Sequence, residues 1–226
     1  MQVDIAIVGA GAGGLAVAAS LKKQQPKLSV AIFDPADVHY YQPGWTLVGS
    51  GVMDLEKTVR SMDSVMPKHL SWVQEAVTEF HPDSDFLTLA NGDDVFYKIL
   101  VVAPGLKVDY DAIPGLSDTL GQHGVSCNYR FDLAPYSWEC IQNLKHGKAI
   151  FTQPPMPIKC AGAPQKALYL AADYWRSQGV LPDIDIQFRN AGGVLFGVSE
   201  FVPILQSYMD RYGAQLHFNS NLVHVD

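Results

Sequence analysis

The feature that most constrains the fold of this 226-residue chain is a glycine-rich turn between an apolar segment and an Ala/Leu-rich segment. Gly9, Gly11 and Gly14 have the spacing G-x-G-x-x-G, and a predicted strand over 3–8 precedes them. A second predicted strand, over 29–33, ends at Asp34, 20 residues after the third glycine. A strand–turn–helix–strand unit with these residues is typical of a parallel, doubly wound sheet that binds a dinucleotide.

Each residue of this motif has a separate expected role. Gly9 permits the tight turn, and Gly11 lets the backbone approach a pyrophosphate. Gly14 lets the helix lie close to the sheet, so that the free N–H groups of its first turn point at phosphate. The carboxylate of Asp34 is expected to accept hydrogen bonds from ribose hydroxyls and to repel a 2′-phosphate.

Composition excludes several other classes of protein. The chain is 48% hydrophobic and 17% charged, which is ordinary for a folded core, and its net charge is −7. An acidic chain without a Lys/Arg cluster is a poor candidate for binding nucleic acid. No apolar run approaches the roughly 18 residues of a membrane span, and no signal peptide is visible. The odd count of three cysteines favours reduced thiols and a cytoplasmic location.

The rest of the chain predicts two parallel-sheet units, 1–112 and 113–226. In the first, residues 35–51 are expected to form an irregular loop. Residues 72–89 are expected to form a hairpin that begins a β-meander, and the apolar run 98–103 a buried central strand. The second unit is expected to repeat the pattern, with strands over 148–152, 184–188, 215–218 and 222–225 and helices over 164–177 and 200–212.

The second unit has a cysteine-bearing loop where a second glycine-rich turn would be expected. Residues 154–157 read Pro-Pro-Met-Pro, and prolines remove N–H donors instead of cradling a phosphate. Cys160 follows, with Lys159 before it and a predicted helix start at Pro164 after it. Both features favour a thiolate, so Cys160 is predicted to be reactive, the alternative being a buried structural thiol. Cys140 is expected to be a core residue, and Cys127 is undecided.

A meander inside the first unit, followed by a strand that ends in Ala103-Pro104-Gly105, resembles the FAD-dependent two-dinucleotide-domain flavoproteins of the disulfide-reductase type. Those proteins usually have Thr at the position of Pro104. The resemblance implies FAD as the cofactor, and no metal site is predicted. The residues expected to bind FAD are Gly9, Gly11, Gly14, Asp34, Gln42, Val77, Ala103 and Gly105.

Two further motifs, Tyr41-Gln42-Pro43 and the run from Pro157 to Lys166, resemble the sulfide:quinone oxidoreductases, particularly those of the mitochondrial type. The resemblance implies that FAD oxidises sulfide and passes two electrons to quinone. It also implies that Cys160 is the first of two sulfur-carrying cysteines, the second having no counterpart here. Lys166 would stabilise the negative charge of reduced flavin, the alternative being a solvated surface lysine.

The same resemblance implies that these residues are the N-terminal part of a longer enzyme. Contact with the cytoplasmic face of a membrane is then expected only through the downstream part, and an oligomer is possible. Two alternatives stay open at this point. One is an NADH:quinone dehydrogenase of the same architecture, and the other is a noncatalytic FAD-binding fragment.

Overall fold

A computed structural model describes all 226 residues, and it has the mixed α/β architecture that the sequence predicts. The strands are β1 (Ile5–Val8), β2 (Val30–Phe33), β3 (Val38–Tyr40), β4 (Val59–Ser61), β5 (Ser71–Val73), β6 (Val77–His81), β7 (Phe86–Leu89), β8 (Asp94–Phe96), β9 (Ile99–Val102), β10 (Gly147–Gln153), β11 (Ile184–Asn190) and β12 (Gln215–His217). The helices are α1 (Ala12–Gln24), α2 (Pro43–Val48), α3 (Met62–Val65), α4 (Leu116–Thr119), α5 (Ala134–Asn143), α6 (Ala163–Ser177) and α7 (Val202–Arg211).

The contacts within the chain group it into two units. The first consists of Met1–Tyr41 and Lys57–Lys107, and the second of Gln42–Glu56 and Val108–Asp226. The last boundary between the two units lies between Lys107 and Val108, five residues before the boundary that the sequence predicts. The short segment Gln42–Glu56 belongs with the second half of the chain, which no local sequence signal indicated.

The first unit is built on a four-stranded parallel sheet with the order β5-β2-β1-β9. Every residue of β1 and β2 is buried, because both strands lie inside the sheet and consist of apolar side chains. Helix α1 packs on one face through Ala18 and Leu15, against Ile5, Ile7 and Ile32. The opposite face packs against the meander.

The sequence-based position of β9 was wrong. The apolar run around it predicted a buried central strand, but β9 pairs only with β1 and forms an edge of the sheet. Ile99 and Val102 are each 56% exposed. A continuous apolar run therefore indicated a parallel strand correctly, but it did not indicate which neighbours that strand has.

The β-meander consists of the antiparallel strands β6, β7 and β8 in that order. Its buried side chains, Leu87, Leu89 and Val95, pack against Val8 and Phe33 of the parallel sheet. The predicted hairpin began too early: Trp72 lies in β5, which pairs with β2 in the parallel sheet. Only Val77–Leu89 form the hairpin.

The segment 35–51 was expected to be an irregular loop and is partly regular. Strand β3 pairs antiparallel with β4, and helix α2 follows with Pro43 in its first turn. Trp45 on α2 is 6% exposed and packs edge-to-face on Phe131. Helix α2 therefore contributes a core residue, Trp45, to the second unit.

The second unit contains a parallel sheet with the order β10-β11-β12. Helices α6 and α7 cover its apolar face, where Leu168, Trp175 and Met209 pack with Ile186 and Phe188. The expected strand over 222–225 does not form; instead, the backbone N–H of Val225 donates to the carbonyl of Pro114 at 3.0 Å. No helix of the protein has both the length and the apolar character needed to cross a membrane.

Candidate functional site

The first candidate site is the glycine turn between β1 and α1. Gly9 has φ +97°, a backbone conformation that other residues rarely adopt, and a side chain there would overlap the carbonyl of Ala103. Gly14 is buried, and a methyl group on it would overlap the carbonyl of Gly9. Both positions therefore require glycine to bring α1 and β9 close to the turn.

Gly11 differs from these two glycines. It is exposed, its φ is −70°, and a side chain there would meet no protein atom within 4 Å. It is also the N-cap of the 13-residue helix α1, and no side chain caps that end. The open space therefore lies at a helix N-terminus with free N–H donors, which is the arrangement that binds a pyrophosphate.

Asp34 lies at the carboxyl end of β2, beside this turn. One carboxylate oxygen accepts the backbone N–H of Ala10 at 2.6 Å, and the other accepts that of Ala36 at 2.8 Å. The indole N–H of Trp72 donates to the Asp34 carbonyl at 3.0 Å. These bonds fix the carboxylate beside the glycine turn, and each oxygen keeps a lone pair that a ribose hydroxyl can use.

The remaining predicted cofactor residues of the first unit have different surroundings. Ala103 directly follows β9, and its N–H donates to the carbonyl of Val8 at 2.8 Å next to the turn. Gly105 is exposed with φ +81°. Val77 starts β6 and is half-buried against the core cluster of Val3 and Val8. The structure thus brings Ala103 to Gly9, whereas Val77 packs in the core.

The second candidate site is the loop 154–162, which joins β10 to α6. Cys160 is exposed, and its carbonyl accepts the N–H of Ala163 at 3.2 Å as helix α6 begins. Pro164 lies in the first helical turn, as expected. Cys160 is therefore accessible to a reagent and lies within three residues of a helix start.

Lys159 connects this loop to two other segments of the second unit. Its ammonium donates to Oε1 of Gln42, the residue before α2. It also lies 5.8 Å from the ring centroid of Tyr129. Although the residue is exposed, partial burial of the ammonium lowers the pKa of Lys159, and a thiolate at Cys160 acts in the opposite direction.

Tyr129 lies close enough to two of the cysteines for their charges to affect it. Burial raises the pKa of its phenol to about 12, and a negative charge on Cys160 or Cys127 adds to the shift. The phenol therefore remains protonated at neutral pH. Cys127 itself accepts the backbone N–H of Tyr129 at 3.3 Å, and its sulfur lies 3.3 Å from the hydroxyl of Tyr110.

The other predicted groups lie further along the helices. Lys166 is exposed on α6, one turn beyond its start. Cys140 on α5 is half-buried, and burial raises the pKa of its thiol. Sequence reasoning did not find Tyr129 or the Lys159–Gln42 bond, because Gln42 and Lys159 are 117 residues apart in the chain. No sequence pattern around Tyr129 indicated that it lies near Cys160.

Together, a parallel sheet, a glycine turn at a helix N-terminus, an acidic residue at the end of the second strand and an antiparallel meander define a dinucleotide-binding oxidoreductase fold. Residues 3–134 match the family model described as pyridine nucleotide-disulphide oxidoreductase. This chain belongs to the pyridine nucleotide-disulphide oxidoreductase family. Proteins of this family are FAD-binding flavoproteins.

Several known proteins are similar over nearly the whole chain. It is 36% identical over 222 residues to the mitochondrial sulfide:quinone oxidoreductase of Mus musculus and 39% identical over 223 residues to that of Dictyostelium discoideum. In both comparisons 98% of this chain matches 49% of the relative, so the chain spans about half the length of these curated relatives. The sulfide:quinone oxidoreductase structure from Aquifex aeolicus has the same fold, with a TM-score of 0.78 at 16% identity over 99% of this chain and 52% of that one.

Proposed function

We propose that the whole protein is a FAD-dependent sulfide:quinone oxidoreductase, of which these 226 residues supply the dinucleotide turn and one sulfur-carrying cysteine. The observation that carries the proposal is the exposed Cys160, which lies in a proline-rich loop where a second glycine turn would be expected. The similarity to relatives that are named sulfide:quinone oxidoreductases supports the proposed substrates.

The residues of the first unit fit FAD. Gly11 leaves open space at the N-terminus of α1 for the pyrophosphate, and Asp34 presents a carboxylate to a ribose. When bound there, FAD would supply the two-electron redox chemistry that a reaction between sulfide and quinone needs. We assign Gly9, Gly11, Gly14, Asp34, Val77, Ala103 and Gly105 of this unit to FAD binding, and Gln42 of the second unit is proposed to bind it as well.

Cys160 is assigned the sulfur chemistry. Hydrosulfide attacks a disulfide between Cys160 and a second cysteine that lies outside these residues. A new S–S bond forms between the sulfide sulfur and one cysteine, and the other cysteine leaves as a thiolate, so the sulfide sulfur is oxidised and the disulfide reduced. Lys166 is proposed to stabilise negative charge on the reduced cofactor.

The proposal is tested by asking which donor reduces the flavin of the full-length protein. We expect sulfide to bleach the absorbance near 450 nm and NADH to leave it unchanged, because Pro154, Pro155 and Pro157 offer no N–H groups to a second dinucleotide. Rapid bleaching by NADH at micromolar concentration would favour the NADH:quinone dehydrogenase alternative.

The role of Cys160 is tested in the same protein. Cys160→Ser should retain FAD and lose sulfide-dependent quinone reduction, because serine is nearly isosteric but does not exchange sulfur. Cys140→Ser is the matched control and should retain activity. Normal turnover by the Cys160→Ser protein would overturn the assignment, and a full-length protein that does not bind FAD would overturn the proposal as a whole.

The cellular location and the oligomeric state of the protein are also proposals. The two curated relatives are named as mitochondrial, whereas the composition favours a reducing compartment such as the cytoplasm. We retain the cytoplasmic location, the membrane contact through a downstream part and a possible oligomer as proposals. Fractionation of cells that express the full-length protein distinguishes these locations.

A further inference from the structure

We propose that Lys159 is a specificity-determining residue that makes Cys160 select anionic sulfur compounds, such as hydrosulfide or a thiolate, over neutral and cationic ones. This inference deepens the proposed function and rests on it for the identity of the substrate.

The positive charge of Lys159 has a defined position. Lys159 precedes Cys160 directly in the chain, and its ammonium is held by Oε1 of Gln42 and by the face of the Tyr129 ring, 5.8 Å away. An ammonium has three N–H donors, and the amide of Gln42 accepts only one of them. The positive charge is therefore fixed beside the cysteine loop with donor capacity left over.

The positive charge of the Lys159 ammonium is not neutralised by an acidic side chain. No carboxylate of the protein lies within ion-pair distance of Lys159. The acidic side chain nearest in sequence to Tyr129 is Asp132, and it is already paired with Arg130 at 2.5 Å. Gln42 and the Tyr129 ring are both uncharged, so they orient the ammonium without cancelling its charge.

Water screens the charge of the Lys159 ammonium only in part. The Lys159 ammonium is partly buried, and this burial lowers the pKa of Lys159. A charge that is partly removed from water acts more strongly on a neighbouring ion than a fully solvated one. An anion that approaches exposed Cys160 is therefore attracted, and a cation is repelled.

The experiment measures the charge preference of Cys160 in the 226-residue protein. Three methanethiosulfonate reagents of the same chemistry are compared: the sulfonatoethyl anion, the neutral methyl reagent and the trimethylammonium-ethyl cation. In each reaction the Cys160 thiolate forms an S–S bond with the reagent and methanesulfinate leaves. Mass spectrometry of the peptide that contains Cys160 gives each rate separately from those of Cys127 and Cys140.

We expect Lys159→Met to lower the ratio of the anionic to the cationic rate by about five-fold or more. Without the positive charge, the reaction with the anion becomes slower and the reaction with the cation becomes faster. Lys159→Arg, which retains a cation and several donors, should keep most of the preference. Lys145→Met, which removes an exposed lysine of the same unit, is the matched control and should change the ratio by less than about two-fold.

A salt titration of the unaltered protein keeps the proposal testable if a variant fails to fold. Raising the ionic strength from 0.02 to 0.5 M, chosen to screen the charge, should reduce the anionic preference toward that of a small free thiol. A ratio that does not respond to salt, or one that Lys159→Met leaves unchanged, overturns the proposal. These assays need neither flavin nor quinone, so their failure is distinguishable from a failure of sulfide to reduce the full-length enzyme.

Discussion

At the scale of single residues, the three motif glycines are glycine for different physical reasons. Gly9 and Gly14 have no room for a side chain, because the carbonyls of Ala103 and Gly9 occupy the space. Gly11 has room within the protein, so packing does not require glycine there, and we propose that cofactor binding does. Substitutions can therefore test folding and binding separately at these positions.

The difference predicts opposite results for two substitutions. Gly14→Ala should destabilise the protein by about 1–3 kcal/mol, which lowers the midpoint of thermal unfolding by roughly 3–10 °C. Gly11→Thr should leave that midpoint within about 2 °C, because threonine is a favourable N-cap residue. It should nevertheless weaken FAD binding at least ten-fold, since its side chain enters the space assigned to the pyrophosphate.

Thermal unfolding followed by circular dichroism, together with a flavin titration of the full-length protein, measures both effects. Unchanged FAD affinity in a folded Gly11→Thr protein would contradict the assignment of the open space to the cofactor.

The cysteines provide a second prediction at this scale. Cys160 is exposed, whereas Cys140 is half-buried with a raised pKa, since burial disfavours its thiolate. Because its pKa is raised, a smaller fraction of the Cys140 thiol is ionised near pH 7.5. Alkylation of Cys140 should therefore be slow at that pH and become faster as the pH rises. Iodoacetamide should therefore modify Cys160 first, by at least ten-fold. Comparable rates for the two peptides would show that Cys140 is more accessible than the structure indicates.

At the scale of elements, helix α6 links the cysteine loop to the core of the second unit. Its apolar face includes Leu168 and Trp175, and the indole N–H of Trp175 donates to the carbonyl of Ile141 at 2.8 Å. Gln165, which is buried in the first turn of the helix, donates to the carbonyl of Leu195 at 2.5 Å. These contacts fix the start of α6 and therefore the end of the loop that contains Cys160.

Removal of the core contact should be costly. Leu168 is completely buried, so Leu168→Ala should destabilise the protein by about 2–5 kcal/mol. Gln178→Ala at the exposed C-terminal end of the same helix is the control and should change stability by less than about 0.5 kcal/mol. Urea unfolding followed by tryptophan fluorescence measures both values, and equal midpoints for the two variants would show that α6 is not anchored as described.

Sequence patterns predicted these elements to different extents. The glycine turn, α1 and α6 could be predicted because their signals are local: glycine spacing, helix formers and a proline in the first helical turn. The edge position of β9 and the helix over Pro43–Val48 could not. Strand order depends on pairing between distant segments, and α2 is stabilised by the burial of Trp45 against Phe131 of a remote segment.

The same limit applies to the candidate site. Gly9, Gly11, Gly14 and Asp34 follow from their spacing and Cys160 from its proline-rich loop and neighbouring helix start, whereas their roles stay predictions. The bond between Lys159 and Gln42 depends on how the chain returns to itself across 117 positions. No pattern within a short window encodes such a contact.

At the scale of the whole molecule, the chain covers 49% of the length of its curated relatives. The proposed mechanism needs a second sulfur partner for Cys160, and Cys127 and Cys140 are not assigned this role. We therefore expect the 226 residues by themselves to show no sulfide:quinone turnover above background, in a coupled assay in which the full-length protein is active. Turnover by the shorter chain would show that the additional length is dispensable.

The membership of Gln42–Glu56 in the second unit has a consequence for biosynthesis. Helix α2 leaves the ribosome long before α5, against which Trp45 and Val48 pack beside Ala134. At a translation rate of about 5–20 residues per second, the interval between the two helices is roughly 4–17 s. During that interval a tryptophan-bearing helix is without its packing partner, so a nascent-chain holdase has a defined target, and slower codons between the two helices would prolong its exposure.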